Sequence, residues 1–431
     1  MKRILANAQF FGFAPSSLLL ATLEELTLTY PNQFLIDIVS NEHIRALCAS
    51  RKNMPYNLVD LNDVPLLDYL LESNACLTYD AFLSYYDPTL MLYAWFFDKP
   101  RILYDGLFHF WDEQSFRHTL MQDIAQVEEY KRTLDVGKLR EWHNALWIKN
   151  PHEMLFAGHI FADVQFARKA PDLDHRLSEY PQLKKKIIPV GCIIHAPTHS
   201  LLPEVARDMI LVSLGGSLNP IVTFEQNIFY AKMVIKFIKE MLPQLSPRPA
   251  TCCVVVHPLI HQRLQTDLPN YEGIDIVSSV DQDTYFSWLQ KSIVAFVPPS
   301  YTTLQECAYF ETPVFLLPEQ NGGQPHCFTL LSKSGYTTEY SMTVSGQLGT
   351  TYGEFEVQEL YADIGRLYDQ NKQRTEILTQ ICNFYTLAAE SESRSILNSR
   401  QKSVICHMMG DFNGAADIAN TIHSYLFSHH E

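Results

Sequence analysis

The chain has 431 residues, of which 47% are hydrophobic and 19% are charged. This composition suits two globular domains and excludes a largely disordered protein. The formal net charge of −15 argues against a broad nucleic-acid-binding face and against strong attraction to an anionic membrane. Nine cysteines without a CxxC spacing are typical of reduced core thiols. No apolar run approaches the roughly 20 residues of a transmembrane helix, so a cytoplasmic protein is expected.

Strands and helices alternate along the first part of the chain. Short runs of branched and aromatic residues predict the strands, and amphipathic stretches with Asn or Asp at their start predict the helices. The predicted order is strand 3–11, helix 15–30, strand 33–40, helix 41–51, strand 57–61, helix 64–73, strand 75–82, helix 87–98 and strand 100–105. Residues 111–150 are predicted as a helical excursion from this unit. The alternation predicts a parallel sheet with helices on both faces.

The pattern returns to a strand at 187–195, and the Pro-containing segment that follows has the composition of a linker. A second alternation starts at residue 209 and closes with helices at 355–391 and 411–427. We therefore predict two doubly wound, Rossmann-like domains that face a cleft. The predicted boundaries are 1–200 for the first domain, 207–410 for the second and 411–431 for a closing C-terminal helix.

The segment 293–328 is the most informative one. It reads IVAFVPPSYTTLQECAYFETPVFLLPEQNGGQPHCF, which predicts two buried strands, each followed by a turn and a helix. Hydroxyl, glycine and amide residues occupy both strand-to-helix junctions. Free N–H groups and the helix dipole favour an anion at such a helix N-terminus, so this segment suits a nucleotide phosphate.

A third junction of this kind follows the first strand of the second half, at LVSLGGSLNP, where Gly215, Gly216 and Ser217 form the turn. One Gly pair after a strand is most simply an ordinary turn. Three such segments at the carboxyl edge of one sheet favour a nucleotide site. The chain lacks both GxxxxGK[ST] and GxGxxG, which argues against a P-loop ATPase and weakens a dinucleotide interpretation.

The order SYTTLQECAYFETPVFLLP…GGQPHCF resembles the donor-binding signature of two-domain GT-B glycosyltransferases, in particular the UDP-glycosyltransferases and the lipid-II-type transferases. The family pattern runs roughly G-x-G-T-x-x-E-A, then G-x-P, then P, then Q-x-x-N-A. Motif identity is confined to about 35 residues, although the likeness in architecture extends over the whole chain. The resemblance implies a nucleotide-diphosphate sugar as co-substrate, with UDP as the expected nucleotide and no bound metal.

The resemblance also implies roles for single residues. Glu306 would bind the ribose hydroxyls of the donor, and Gln324 would bind hydroxyls of its sugar. A helix-surface carboxylate and a loop amide are the alternative roles of these two residues. The remaining candidate donor contacts are Gly216, Ser217, His257, Ser300, Thr302 and Thr303. His257 ends a predicted strand and could equally be structural, and Ser300 and Thr302 replace the family's phosphate-turn glycines.

Inverting members of this family carry a histidine base just after the first strand, whereas this chain has FFGFAPSS there. An O-glycosyl transfer needs a base within hydrogen-bond reach of the acceptor hydroxyl. Asp105, Asp87 and His109 are the candidates, with Asp105 preferred because it ends a strand at the cleft edge. Their alternative roles are an N-cap for Asp87 and a packed ring for His109. The aromatic cluster Tyr104, Phe108, Phe110 and Trp111 predicts either an apolar acceptor pocket or part of the core.

The expected function is the transfer of a sugar, with inversion, to a small and partly apolar acceptor such as a natural product or a lipid-like molecule. Two alternatives stay open. One is a sugar-nucleotide epimerase or hydrolase of the same fold, and the other is a non-catalytic GT-B-like binding partner. The missing histidine after the first strand favours the second alternative, while Glu306 and Gln324 argue against it. The sequence leaves the oligomeric state open.

Overall fold

The structure is a computed structural model in which twelve strands form two parallel sheets. It describes residues 1–9, 12–49, 54–108, 117–149, 151–194, 206–214, 218, 222–267, 272–278, 280–336, 338–350, 352, 356–369 and 371–428. The strands of these residues are β1 (Lys2–Ala8), β2 (Phe34–Val39), β3 (Asn57–Val59), β4 (Ala81–Tyr85), β5 (Arg101–Asp105), β6 (Val164–Arg168), β7 (Ile187–Val190), β8 (Met209–Ser213), β9 (Thr251–Val256), β10 (Asp275–Ser278), β11 (Ser292–Val297) and β12 (Val314–Leu316).

Helices connect almost all of these strands, as parallel pairing requires. In the first half they are α1 (Phe13–Thr29), α2 (Glu42–Cys48), α3 (Leu66–Glu72), α4 (Ala75–Thr78), α5 (Pro88–Phe96), α6 (Arg117–Thr133), α7 (Val136–Lys149), α8 (Pro151–Phe161), α9 (Leu173–Glu179) and α10 (Pro181–Lys184). In the second half they are α11 (Phe224–Met241), α12 (Pro258–Asp267), α13 (Gln282–Lys291), α14 (Tyr301–Tyr309), α15 (Gly323–Lys333), α16 (Val344–Leu348), α17 (Val357–Asp369), α18 (Asn371–Ala389), α19 (Ser391–Met409) and α20 (Gly414–Ser428). None of the described helices is long and apolar enough to cross a membrane.

The two sheets share one winding pattern. The first has the order β3-β2-β1-β4-β5-β6-β7 and the second has the order β10-β9-β8-β11-β12. In each sheet the chain starts near the middle, builds outwards to one edge and then crosses back to build the other. Strand order therefore reverses between β1 and β4 and again between β8 and β11, and ligands bind at such switch points in open α/β sheets. This topology confirms the predicted pair of doubly wound, Rossmann-like domains.

Each sheet is buried on both faces, which explains its strand sequences. Residues of β11 are all buried, and the run IVAFV contributes to a different core on each face. Residues of β1 and β4 likewise divide between two cores of the first domain. A strand covered on both faces needs apolar residues at successive positions, so it shows a continuous apolar run.

Several predicted elements differ from the observed ones. The predicted strand 75–82 is the short helix α4 followed by a turn, and β4 begins only at Ala81. The predicted strand 187–195 ends at Val190. The elements β6 and α8–α10 were not predicted, although β6 lies within the sheet, between β5 and the edge strand β7. In the second half α19 was not predicted either, because its serine-rich and charged sequence has little apolar periodicity.

The chain passes between the domains twice, and the two passages hydrogen-bond to each other. The backbone N–H of Cys192 donates to the carbonyl of Asp411 at 2.6 Å, and the N–H of Gly414 donates to the carbonyl of Cys192 at 3.0 Å. Beyond this crossing α20 packs its apolar face against α1 and the first sheet. The C-terminal helix thereby belongs to the core of the first domain, although it follows the second domain in sequence.

Candidate interdomain binding site

A cavity of about 200 Å³ lies between the two domains, at the carboxyl ends of β8, β11 and β12. The first domain lines it with apolar residues and one hydroxyl: Phe13, Ala14, Ser17 and Leu47. The second domain lines it mainly with polar residues: Ser213, Val255, Val280, Gln282, Tyr285, Pro298, Ser300, Thr302, Thr303, Glu306, Gln320, Asn321 and Gln324. The cavity thus lies where the strand order reverses in each sheet, between β1 and β4 and between β8 and β11.

The N-terminus of α14 lies at this cavity. Ser300 is the N-cap residue, and its side chain makes no capping hydrogen bond in the described structure. The carbonyl of Ser300 accepts from the N–H of Leu304 at 2.9 Å, which starts the helix. The N–H groups of the first turn have no partner within the helix, and Thr302 and Thr303 of that turn line the cavity. Two hydroxyl-bearing residues and the helix dipole thus offer an anion several hydrogen-bond donors.

Glu306 lies one turn further along α14 and also lines the cavity. It is a buried residue, and its carboxyl group makes no hydrogen bond or ion pair with another described residue. Burial without compensation raises the pKa of Glu306 to about 8. The same carboxyl group contributes to raising the pKa of the neighbouring Tyr285, although burial is the larger cause there. Glu306 is therefore a cavity group that lacks the partner its chemistry requires.

Gln324 reaches the cavity from the first turn of α15. Its side-chain oxygen accepts a hydrogen bond from the backbone N–H of Gln320 at 2.6 Å, which leaves its NH₂ group as a donor. The loop before α15 is fixed on both sides. The hydroxyl of Tyr230 donates to the carbonyl of Pro318 at 2.6 Å, and the side chain of Asn321 accepts from the N–H of Gly323 at 3.1 Å. The amide donor of Gln324 is thus held in a defined position.

Two of the predicted catalytic residues are engaged elsewhere. Asp87 is the N-cap of α5, where it accepts from the N–H of Thr89 and from the amide of Asn7, each at 2.8 Å. Asp105 accepts from the N–H of Leu107 at 2.7 Å and lies 2.8 Å from Nε2 of His159. Both carboxyl groups are buried, and burial raises the pKa of Asp87. Neither residue is among the described residues that line the cavity, which favours structural roles for both.

The other predicted residues have different outcomes. His109, Gly216 and Ser217 lie outside the described residues, as do Phe110 and Trp111 of the aromatic cluster. Tyr104 and Phe108 of that cluster are buried core residues. His257 does not belong to the described cavity lining, and its Nδ1 accepts from the N–H of Leu259 at 3.3 Å. Burial lowers the pKa of His257, and the nearby carboxyl group of Glu42 in the first domain partly offsets this decrease.

Some cavity residues were not identified from the sequence. Ser213 ends β8, and Gln282 and Tyr285 belong to α13, which follows the short strand β10. The signal that could have found them is their place directly after strands of the same sheet, since all parallel strands present their carboxyl ends at one edge. The described residues contain no group of three or more His, Cys, Asp or Glu side chains arranged to hold a metal ion.

No protein-family profile and no curated protein sequence matches the chain. Solved structures do match over nearly its full length. The structure of S. aureus MnaA with UDP is 14% identical, with a TM-score of 0.55 over 99% of this chain and 97% of that one. A putative UDP-N-acetylglucosamine 2-epimerase from Listeria monocytogenes has 14% identity and a TM-score of 0.53 over 99% and 98%. The spinosyn rhamnosyltransferase SpnG complexed with thymidine diphosphate has 11% identity and a TM-score of 0.54 over 98% and 100%. The chain thus has the GT-B fold, as two parallel, doubly wound sheets around an interdomain cavity indicate.

Proposed function

We propose that this protein is a glycosyltransferase that moves a sugar from a nucleotide-diphosphate sugar to a small, partly apolar acceptor. One observation carries the proposal. Five of the eight candidate donor contacts, Ser300, Thr302, Thr303, Glu306 and Gln324, line a single cavity between the domains. Solved structures of the same fold contain UDP in MnaA and thymidine diphosphate in SpnG, which supports a nucleoside diphosphate as the ligand.

In this proposal each part of the donor has its own contact. The diphosphate lies at the N-terminus of α14, where the N–H groups and the Thr302 and Thr303 hydroxyls donate to it. Glu306 accepts hydrogen bonds from ribose hydroxyls, which gives its carboxyl group the partners it lacks. The NH₂ group of Gln324 donates to a hydroxyl of the sugar. UDP is the nucleotide to test first.

The first-domain wall of the cavity supports an acceptor with apolar parts. Phe13, Ala14 and Leu47 present apolar surface, and Ser17 adds one hydroxyl. Among the described residues this wall has no titratable side chain. Direct displacement with inversion needs a base near the acceptor hydroxyl. Because Asp87 and Asp105 are held by other groups, His109, outside the described residues, is the candidate base to test first.

Thermal unfolding in the presence of nucleotides and sugar nucleotides tests the donor site. We expect UDP or another nucleoside diphosphate to raise the melting temperature. Glu306→Ala and Gln324→Ala should reduce that rise, whereas Gln358→Ala, on an exposed contact with Gln226 in the second domain, should leave it unchanged. The donor-site proposal fails if no nucleotide or sugar nucleotide shifts the melting temperature of the wild-type protein.

A sugar-nucleotide epimerase is the second candidate, because the 2-epimerase from L. monocytogenes aligns over nearly the full chain with a TM-score of 0.53. The two reactions differ in their need for an acceptor. A transferase releases nucleoside diphosphate only when an acceptor is present, while an epimerase converts the sugar nucleotide alone and exchanges the proton at the inverted carbon. Incubation of the protein with UDP-N-acetylhexosamines in D₂O, followed by NMR, separates them. Binding without either reaction would support the non-catalytic alternative.

A further inference from the structure

Arg168 is a buried cation at the domain interface. It is the last residue of β6 in the first domain, and only 3% of its surface is exposed. Its guanidinium lies over the ring of Tyr301 of the second domain, 4.6 Å from the ring centroid. Tyr301 is the first residue of α14 and stands between Ser300 and Thr302, which line the cavity. The charge of Arg168 is thus placed directly beside the helix N-terminus that forms the anion end of the cavity.

The tyrosines around this guanidinium are neutral, whereas the carboxyl groups of Asp105 and Asp172 act electrostatically on the same tyrosines. Tyr86, Tyr104 and Tyr301 surround it, and burial raises the pKa of each hydroxyl above its ordinary value, so all three are protonated at neutral pH. In the described structure Arg168 makes no ion pair. Its side chain has a hydrogen bond with Tyr104, while its Nη1 has no hydrogen-bond partner. An uncompensated buried charge destabilises a protein by several kcal/mol. A positive charge kept in such a place suggests that a ligand supplies the negative one.

The surrounding residues are arranged to hold the guanidinium there. A Cβ atom at Gly106 would lie 2.4 Å from the hydroxyl of Tyr86 and 3.1 Å from Nη2 of Arg168, so a larger residue there would displace these groups. Tyr86 itself has a φ of 67°, a conformation that is strained for a side chain of this size. The strained backbone of Tyr86 and the glycine at position 106 both belong to the cluster around Arg168. Backbone strain of this kind is common at functional sites.

We propose that Arg168 supplies the positive charge that offsets the phosphate next to the sugar when a nucleotide-diphosphate sugar binds at α14. This inference rests on the proposed function. The nucleotide contacts come from the second domain, while Arg168 approaches from the first domain, on the side where the acceptor would bind. Arg168 is not among the described residues that line the cavity, so in this proposal its charge acts at short range, from beside Tyr301, on the phosphate whose bond to the sugar breaks. Negative charge grows on that phosphate as the bond breaks, so a nearby fixed cation stabilises the transition state more than the ground state.

Ligands with different phosphate content test this assignment in the full-length protein. The variants are Arg168→Met, which removes the charge at similar length, and Arg168→Lys, which keeps it. Arg176→Met is the control, since Arg176 also lies over a tyrosine, Tyr180, but pairs with Glu179 within the first domain. Affinities for UDP, UMP, uridine and inorganic pyrophosphate are measured by titration calorimetry. We expect Arg168→Met to lower the affinity for UDP and for pyrophosphate about tenfold or more. The affinity for UMP should fall less than about threefold, and the affinity for uridine should not change.

Arg168→Lys should recover part of the preference for UDP over UMP, and the control should keep the wild-type values. Without ligand, Arg168→Met should be at least as stable as the wild type, because it removes an unpaired buried charge. If Arg168→Met lost affinity equally for UDP, UMP and uridine, or bound UDP as the wild type does, the assignment would be overturned and Arg168 would be a packing residue.

The outcomes also separate this inference from the proposed function. Wild-type binding of pyrophosphate that depends on Arg168, without binding of any nucleotide, would contradict the proposed function and support the anion site. Binding of UDP that is indifferent to Arg168→Met would support the function and contradict the role of Arg168. Absence of binding for both UDP and pyrophosphate would contradict both.

Discussion

The side-chain amide of Gln282 donates a hydrogen bond to the hydroxyl of Ser17 at 2.7 Å, and this bond joins the two domains across the cavity. Gln282 starts α13 in the second domain, and Ser17 belongs to the first turns of α1. Both residues line the cavity. The same pair therefore links the domains at the cavity wall.

A double-mutant cycle should detect this link. We expect Ser17→Ala and Gln282→Ala to show a coupling of about 1 kcal/mol in the free energy of unfolding, as for a buried neutral hydrogen bond. Denaturant titration of the wild type, both single variants and the double variant measures it. The exposed pair Gln226–Gln358, within the second domain, should couple much more weakly and serves as the control. Strictly additive effects of Ser17→Ala and Gln282→Ala would contradict the link.

Nucleotide binding should release a proton through Glu306. The pKa of Glu306 is about 8 in the free protein, so its carboxyl group is mostly protonated at pH 7. Accepting ribose hydroxyls favours the ionised form, so affinity for UDP should rise with pH until about 8. Calorimetry in buffers of different ionisation enthalpy measures the released proton. In Glu306→Gln both the proton release and this pH dependence should disappear, and their persistence would exclude Glu306 as the source.

The carboxyl group of Glu306 also predicts how the free energy of unfolding depends on pH. Its pKa in the folded protein lies above the ordinary value of 4.5, so the folded state holds the proton more tightly than the unfolded state. The stabilisation is complete below pH 4.5 and is lost as pH rises through about 8. Thermal unfolding should therefore show Glu306→Gln gaining stability relative to the wild type between these two values. A constant difference across that range would indicate that the carboxyl group has an ordinary pKa.

Gly191 should be intolerant of a side chain. A Cβ atom there would lie 2.3 Å from the backbone oxygen of Asp411, at the point where the two interdomain passages touch. Gly191→Ala should lower the free energy of unfolding by about 1–3 kcal/mol, as overpacking does. The matched control is Gly365→Ala on α17, where the nearest atom is 3.9 Å away. That change should be neutral or stabilise the helix by up to about 1 kcal/mol. Similar effects of the two changes would argue against a tight crossing.

Asp105→Asn should affect stability more than ligand binding. Asp105 holds His159 and the N–H of Leu107, so losing its charge weakens two buried hydrogen bonds. We expect a loss of about 1–3 kcal/mol in the free energy of unfolding, with the affinity for UDP unchanged. Once an acceptor is identified, turnover measured at a temperature where the variant is folded checks the role directly. Abolished turnover with wild-type stability would restore Asp105 as the catalytic base.

Much of the candidate site could be predicted because it is local in sequence. The strand–turn–helix order of 293–328 is observed as β11, α14, β12 and α15, and eight of its residues line the cavity. The roles of Asp87 and Asp105 could not be predicted in this way. Asn7 is 80 residues from Asp87, and His159 is 54 residues from Asp105, so only the folded sheet brings these partners together.

By itself the sequence determined the fold class and five residues on the second-domain side of the cavity. Continuous apolar strands alternating with helices admit few solutions other than parallel sheets covered on both faces, and each sheet gathers the residues after its strands at one edge. The tertiary structure decided which polar residues are left without partners. It gives Asp87 and Asp105 hydrogen-bond partners, while it buries the carboxyl group of Glu306 and leaves Nη1 of Arg168 without a hydrogen-bond partner. Burial and pairing are properties of distant contacts, and these contacts determine where a ligand is required.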